Sequence, residues 1–240
     1  MTSRILTVAA YKGGVGKTTL ALELANVLDA VLVDFEWEDG SASRRWGYRH
    51  EKYSRRPLLD AIESGKTPNP LVGRHKADLV PGHRDMATAS FDGDEIAEAL
   101  EQWAGEWGRD WVVVDTHPGA NAFLGGAMAA ASVIAVPTPL KTTELDGLEG
   151  MLTEAADFPL LLVPNMVPGR PPASLNRRLW EMAQKWDVPL GPVVSEYREL
   201  PRRQQRMAVT ALDPTPTSWL RYVNELQGVA QAVKDYAHAD

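Results

Sequence analysis

The residues best suited to chemistry stand in one short run, Lys12-Gly13-Gly14-Val15-Gly16-Lys17-Thr18-Thr19. Its glycines let the main chain turn so that successive amides converge on phosphate oxygens, and a helix starting behind them adds the positive end of its dipole. In such a loop Lys17 reaches the outer phosphates and the Thr18 hydroxyl binds Mg²⁺. A dinucleotide-binding turn is the competing reading, because Gly14-Val15-Gly16 precedes the acid Glu36 by about 20 residues. That turn wants a small third residue where Thr19 stands and has no use for Lys17-Thr18. The mononucleotide reading is therefore preferred.

Two further acids end apolar runs. The run Val31-Leu32-Val33-Asp34-Phe35-Glu36-Trp37 puts Asp34 and Glu36 on one side of a strand, at the carboxyl end where open α/β sheets hold their ligands. A carboxylate there can orient an attacking water or accept its proton, with Glu38 as a rival to Glu36 and a merely solvated Glu36 as the plain reading. The second run, Trp111-Val112-Val113-Val114-Asp115-Thr116, has the Walker B pattern, a buried strand that delivers Asp115 beside Mg²⁺. His117, just beyond, is expected to be incidental.

Elements must place these residues. Apolar runs of strand length cover Ile5–Tyr11, Ala30–Asp34, Ala77–Val80, Trp111–Asp115, Ser132–Val136, Leu160–Asn165 and Pro192–Val194. Helical patterns fall between them at Thr18–Leu28, Leu58–Ser64, Asp94–Trp107, Ala122–Ala131, Thr142–Ala156, Leu175–Trp186 and Thr217–Ala237. Continuous apolar strands alternating with helices predict an α/β fold with a doubly wound, mostly parallel sheet flanked by helices. One domain over residues 1–240 is expected, with the C-terminal helix 217–237 packed on it. Asp39–Arg56, which carries Arg44, Arg45, Arg49, Lys52, Arg55 and Arg56, breaks the rhythm, and Pro164–Pro172 reads as a loop.

Composition narrows the classes. The 240 residues hold 25 Lys+Arg, 32 Asp+Glu and no cysteine, for a net charge of −7. Disulfides, iron–sulfur ligation, thiolate zinc and a cysteine nucleophile are excluded, and the five histidines show no metal-ligand spacing. The longest apolar stretch, Phe123–Val136, is short of the ~20 residues of a membrane helix, and no signal peptide is evident, so a cytoplasmic protein is expected. A net negative chain argues against a generally basic nucleic-acid binder and leaves room for a local patch.

A strict phosphate loop has glycine where this chain has Tyr11; what it has instead is a second lysine, Lys12. Here the sequence resembles the ParA/MinD family of deviant Walker A P-loop ATPases, whose signature Lys-Gly-Gly-x-Gly-Lys-Thr-Thr is matched in full by Lys12–Thr19. The resemblance implies that Lys12 reaches across a dimer interface to the partner's nucleotide, so that ATP is a dimerising ligand. It also implies that Asn165 hydrogen-bonds the adenine ring, although asparagine at a strand end is otherwise a common turn former. The family carries Asp-x-Asp-Pro-Gln after its second strand; this chain has Glu36 for the hydrolytic second acid, then Trp37-Glu38-Asp39-Gly40. In the Asp-Thr-Pro-Pro-Gly switch His117 replaces a proline.

Among family members, nitrogenase-type iron proteins need cysteines and are excluded. MinD-type proteins end in a basic amphipathic helix that docks on membranes. The C-terminal helix here carries Trp219, Leu220, Val223, Leu226, Val229 and Val233 along one face with only Arg221 and Lys234 as cations, which suits packing on the sheet rather than a membrane. ParA-type partition ATPases bind nonspecific DNA through C-terminal basic residues, and Arg198, Arg202, Arg203 and Arg206, with Arg221 nearby, could share one helical face. A solvated face is the plain reading of these arginines, and Arg44–Arg56 is a second candidate. The resemblance thus implies a short ParA-like ATPase, cytoplasmic and nucleoid-associated with ATP. It would form an Mg-ATP homodimer that binds DNA and is stimulated by a centromere-binding ParB-type protein. The rivals are a positioning ATPase with a membrane or protein cargo and a ligase of the dethiobiotin-synthetase type.

Overall fold

The structure is a computed structural model that describes residues 3–38, 41–53, 55–203 and 207–238. Six strands, β1 (Arg4–Val8), β2 (Val31–Phe35), β3 (Asp78–Val80), β4 (Trp111–Thr116), β5 (Val133–Thr138) and β6 (Leu160–Pro164), form one sheet in the order β3-β2-β4-β1-β5-β6. Every pairing is parallel. The predicted doubly wound sheet is found. Its strands are apolar without alternation because helices cover both faces: every residue of β2, β4, β5 and β6 is buried.

The helices are α1 (Lys17–Val27), α2 (Ala42–Trp46), α3 (Pro57–Ser64), α4 (Gly93–Trp107), α5 (Ala122–Ala129), α6 (Thr142–Ala155), α7 (Ala173–Lys185) and α8 (Leu220–Ala237). Asp92 caps α4 by accepting from the Glu95 N–H while Glu95 reaches back to the Asp92 N–H, a reciprocal box that fixes where the helix starts. α1 and α8 pack together against one face, where Leu20, Leu24, Tyr222, Leu226, Val229 and Val233 join Leu6, Leu32 and Val113 of the sheet. α3, α4 and α5 cover the other face through Leu58, Ile96, Leu100, Trp103 and Phe123. α6 and α7 close over β5 and β6.

Four sequence expectations change. Pro192–Val194 is not a strand: Pro189–Glu196 runs beside β6 and exchanges bonds with it (Leu162 N–H to Pro189 O, 3.0 Å; Val194 N–H to Pro164 O, 2.8 Å), yet only two isolated bridges form. Proline at 189 and 192 supplies no N–H, so the ladder breaks. The segment with Arg198, Arg202 and Arg203 is not an α-helix with one arginine face but an irregular stretch with a single 3-10 turn at Leu200–Arg202, and Pro201 sits within it. Asp39–Arg56, read as irregular, contains α2, capped by the Ser41 hydroxyl accepting from Arg44 N–H, and a 3-10 turn at His50–Lys52. On α8, Leu220 is exposed rather than part of the packed stripe; Tyr222 and Ala230 are buried in its place. No helix among the described residues is long and apolar enough to cross a membrane.

Candidate nucleotide-binding site

The carboxyl ends of β1, β2 and β4 lie side by side, and the predicted residues sit there. β1 runs into the glycine loop, which turns at Gly14 (φ +78°) and Gly16 (φ +97°) before α1 begins at Lys17. Gly16 is required twice over: its φ is left-handed, and a Cβ there would stand 2.5 Å from the Asn165 Nδ2. Asn165, buried just after β6, donates that amide to the Val15 carbonyl at 2.8 Å. In this structure its partner is the loop itself.

Lys17 is buried, with its ammonium 3.4 Å from the Lys12 carbonyl. Burial lowers its pKa, and the negative charges of Asp115 and Glu36 oppose that shift. Lys12, by contrast, is exposed, and its aliphatic stem lies over Gly147 of α6, where a Cβ would meet Lys12 Cγ at 2.5 Å.

Parallel register sets Asp34 and Asp115 opposite each other on β2 and β4. Both are fully buried. Burial, then the neighbouring Asp34, pushes the Asp115 carboxyl well above the ordinary range, and Thr18 eases it; neither Asp115 oxygen receives a well-formed hydrogen bond from the described residues. A buried carboxylate with both oxygens unmet, next to a threonine hydroxyl and a lysine, fits a hard cation that takes its other ligands from water and phosphate. Among the described residues no cluster of three acidic or histidine side chains could hold a metal alone. Thr18 and Asp115 are the residues that could hold such a cation.

Asp34 is otherwise engaged. Its Oδ2 accepts from the Ser43 N–H (2.6 Å) and hydroxyl, and its Oδ1 from the Glu36 N–H (3.1 Å). Burial raises its pKa to about 6 against these bonds, which favour the charge. The Ser43 hydroxyl accepts in turn from the Gly82 N–H at 3.0 Å. So Asp34 holds α2 and the turn after β2, while Glu36 beyond it is the carboxylate left at the site's edge. Sequence reasoning had no signal for Ser43, since its partner is nine residues earlier.

A cavity of about 580 Å³ opens beside α1, lined by Thr19, Arg45, Asn165, Met166, Glu196 and Arg198 among others. Its size suits a nucleoside-scale ligand. Arg45 reaches over it to donate to the Thr19 hydroxyl at 2.6 Å, a contact that the irregular look of its segment concealed. Below, buried Glu23 of α1 accepts from the Val209 and Thr210 N–H groups, both at 2.9 Å, and from the Thr210 hydroxyl.

The arginines expected to meet DNA differ in how far they are engaged. Arg198 and Arg202 are exposed; Arg203 bonds the Met207 carbonyl and lies over Trp219; Arg221 is tied to Glu225 (2.9 Å) and the Ser195 hydroxyl (2.8 Å). Arg206 falls outside the described residues. In the second cluster Arg44 pairs with Glu51, and Arg56 with Asp60 and Glu63.

A doubly wound sheet with a glycine loop between its first strand and helix, and an acid on the adjacent strand, defines a P-loop nucleotide-binding protein. The sequence family described as AAA domain (AAA_31) matches residues 3–162. The chain belongs to it, within the ParA/MinD group of deviant Walker A ATPases. The chromosome-partitioning ATPase Soj of Thermus thermophilus is 31% identical over 154 residues, 62% of this chain and 60% of that protein. The chain thus aligns with about three fifths of this curated relative's length. The fold matches the ATP complex of a McdA variant from Cyanothece (TM-score 0.75, 16% identity, 99% of this chain and 97% of that one). It also matches the cell-division protein MinD of Aquifex aeolicus (TM-score 0.73, 16% identity, 97% and 98%).

Proposed function

We propose that this chain is a ParA-type partition ATPase. The observation that carries the reading is the unbroken Lys12–Thr19 signature on a strand–turn–helix, with a second lysine exposed at the head of the loop. Lys17, Thr18 and the loop amides hold the phosphates of ATP, and the cavity beside Asn165 takes its nucleoside. Thr18 and Asp115 hold Mg²⁺, which neutralises charge on the phosphates when bound. Glu36 orients the attacking water, and Lys12 engages the nucleotide of a second protomer.

ATP then favours a homodimer, because each nucleotide touches both chains, and hydrolysis removes the bridge. In the dimer Arg198 and Arg202 double into a patch for the phosphate backbone of nonspecific DNA. A centromere-binding ParB-type protein accelerates hydrolysis and release, and the ATP form resides on the nucleoid. The name of the Thermus relative, a chromosome-partitioning ATPase, supports this cargo.

The test is DNA binding by the purified protein with ATP, with ADP and with no nucleotide, beside Lys12→Ala. Binding with ATP alone, abolished in the variant and weakened by salt, is expected. An ATP-driven dimer that ignores DNA in every state would overturn the DNA cargo and point to a protein or membrane surface.

A further inference from the structure

Three departures from the family pattern come together in space: Glu36 and Trp37 are consecutive, and His117 follows 81 positions after Glu36. The β2–β4 register pairs Asp34 with Asp115 and Phe35 with Thr116, so Glu36 and His117 are the next residues on adjoining strands. His117 Nδ1 stands 2.7 Å from Glu36 Oε1. A carboxylate only accepts, so Nδ1 carries the hydrogen. The Glu38 N–H donates to the same oxygen at 3.0 Å. The Trp37 indole stacks on the imidazole, 3.7 Å between centroids at 15°. Both side chains of the pair are largely shielded, 16% exposed for His117 and 11% for Glu36.

Glutamate in place of aspartate adds a rotatable bond, and an unrestrained carboxylate would be spread over several rotamers. Here two donors grip Oε1 and leave Oε2 without a hydrogen bond from the described residues. We infer that His117, clamped by Trp37, is the positioning residue that fixes Glu36 for activation of the hydrolytic water. The inference rests on reading Glu36 as the hydrolytic carboxylate. His117 itself touches neither nucleotide nor water in this scheme; it replaces the stiffness lost with the longer acid.

The experiment compares single-turnover ATP hydrolysis and Mg-ATP affinity in the wild type, H117F, H117N and E36Q. H117F keeps a ring against Trp37 and lacks the donor; H117N keeps a donor near Nδ1 and lacks the ring. H117F is expected to slow hydrolysis by about 10- to 100-fold with ATP affinity within about twofold, and H117N to recover most of that loss. If H117F is unfolded, H117A makes the same comparison. Wild-type turnover in the donorless variant, a matching loss of ATP affinity, or no recovery in H117N would overturn the role of His117. E36Q separates the two readings. Hydrolysis surviving in E36Q removes Glu36 as the hydrolytic acid and this inference with it. An inactive E36Q beside a fully active H117F overturns His117 alone.

Discussion

Asn165 and Val15 are 150 positions apart in the chain, yet the amide of one donates to the carbonyl of the other at 2.8 Å, stitching the end of β6 to the phosphate loop. Removing the amide strands a buried carbonyl, at a cost of about 1–3 kcal/mol. Asn165→Ala is therefore expected to lower the unfolding midpoint and to weaken ATP binding about tenfold, read by urea titration and calorimetry. Unchanged affinity in a destabilised variant would confine Asn165 to structure.

Asp115 works against the empty fold. It is fully buried, it faces Asp34, and neither of its oxygens has a well-formed hydrogen bond from the described residues. Asp115→Asn should raise the nucleotide-free stability by about 1–2 kcal/mol, because Lys17 and Thr18 offset only part of the cost of burying this carboxylate beside Asp34. The same variant should lose the thermal stabilisation that Mg-ATP gives the wild type. A less stable Asp115→Asn would show that the pair is compensated after all.

Burial holds Asp34 at about 6, above the ordinary 3.8. Between those values the folded chain keeps a proton that the unfolded chain has released, so this group's contribution to stability falls as pH rises from about 4 to 6. Asp34→Asn has no such titration. Without nucleotide, the stability difference between wild type and variant should shrink across that window by up to about 3 kcal/mol. Denaturant curves at pH 4.5, 5.5 and 7 check it; a difference flat in pH contradicts it.

Glu23 gives its two oxygens to two main-chain N–H groups and a hydroxyl of Val209–Thr210. Glu23→Ala leaves the buried Val209 N–H and the part-buried Thr210 N–H without their acceptor, and a loss of about 1–3 kcal/mol is expected. Hydrogen exchange should show the loss of protection first at residues 209 and 210.

Arg198 and Arg202 are exposed on the irregular stretch around the 3-10 turn Leu200–Arg202. If they meet DNA phosphates, Arg198→Glu and Arg202→Glu should each weaken ATP-dependent DNA binding and flatten its salt dependence by about one unit of slope. Nucleotide affinity should stay as it was. Arg221→Glu should do less, since that guanidinium is already spent on Glu225 and Ser195.

Much of the fold was legible because its signals are local. An apolar run buried on both faces needs no alternation, and six such runs are the six strands. The seventh run failed where prolines 189 and 192 remove donors, a rule that outranks apolarity. The phosphate loop was legible because its glycines, lysine and threonine are consecutive. What escaped depends on register. Ser43 reaches Asp34 only because α2 folds back over the end of β2, and His117 reaches Glu36 only because β4 lies beside β2. No spacing in one dimension encodes such neighbours. The arginine face did not form because the described residues around Arg198, Arg202 and Arg203 make one 3-10 turn, Leu200–Arg202, instead of an α-helix.

Both borders of the sheet are blunted. On one side Pro189–Glu196 lies along β6 without continuing it, and on the other the three-residue β3 exchanges two bonds with Leu71, in an isolated antiparallel bridge. Exposed, regular borders are templates on which another copy can add strand to strand, the route to aggregates and fibres. Among the described residues neither side continues the sheet as a regular strand. Strand-to-strand addition at either described edge therefore has little regular backbone to build on.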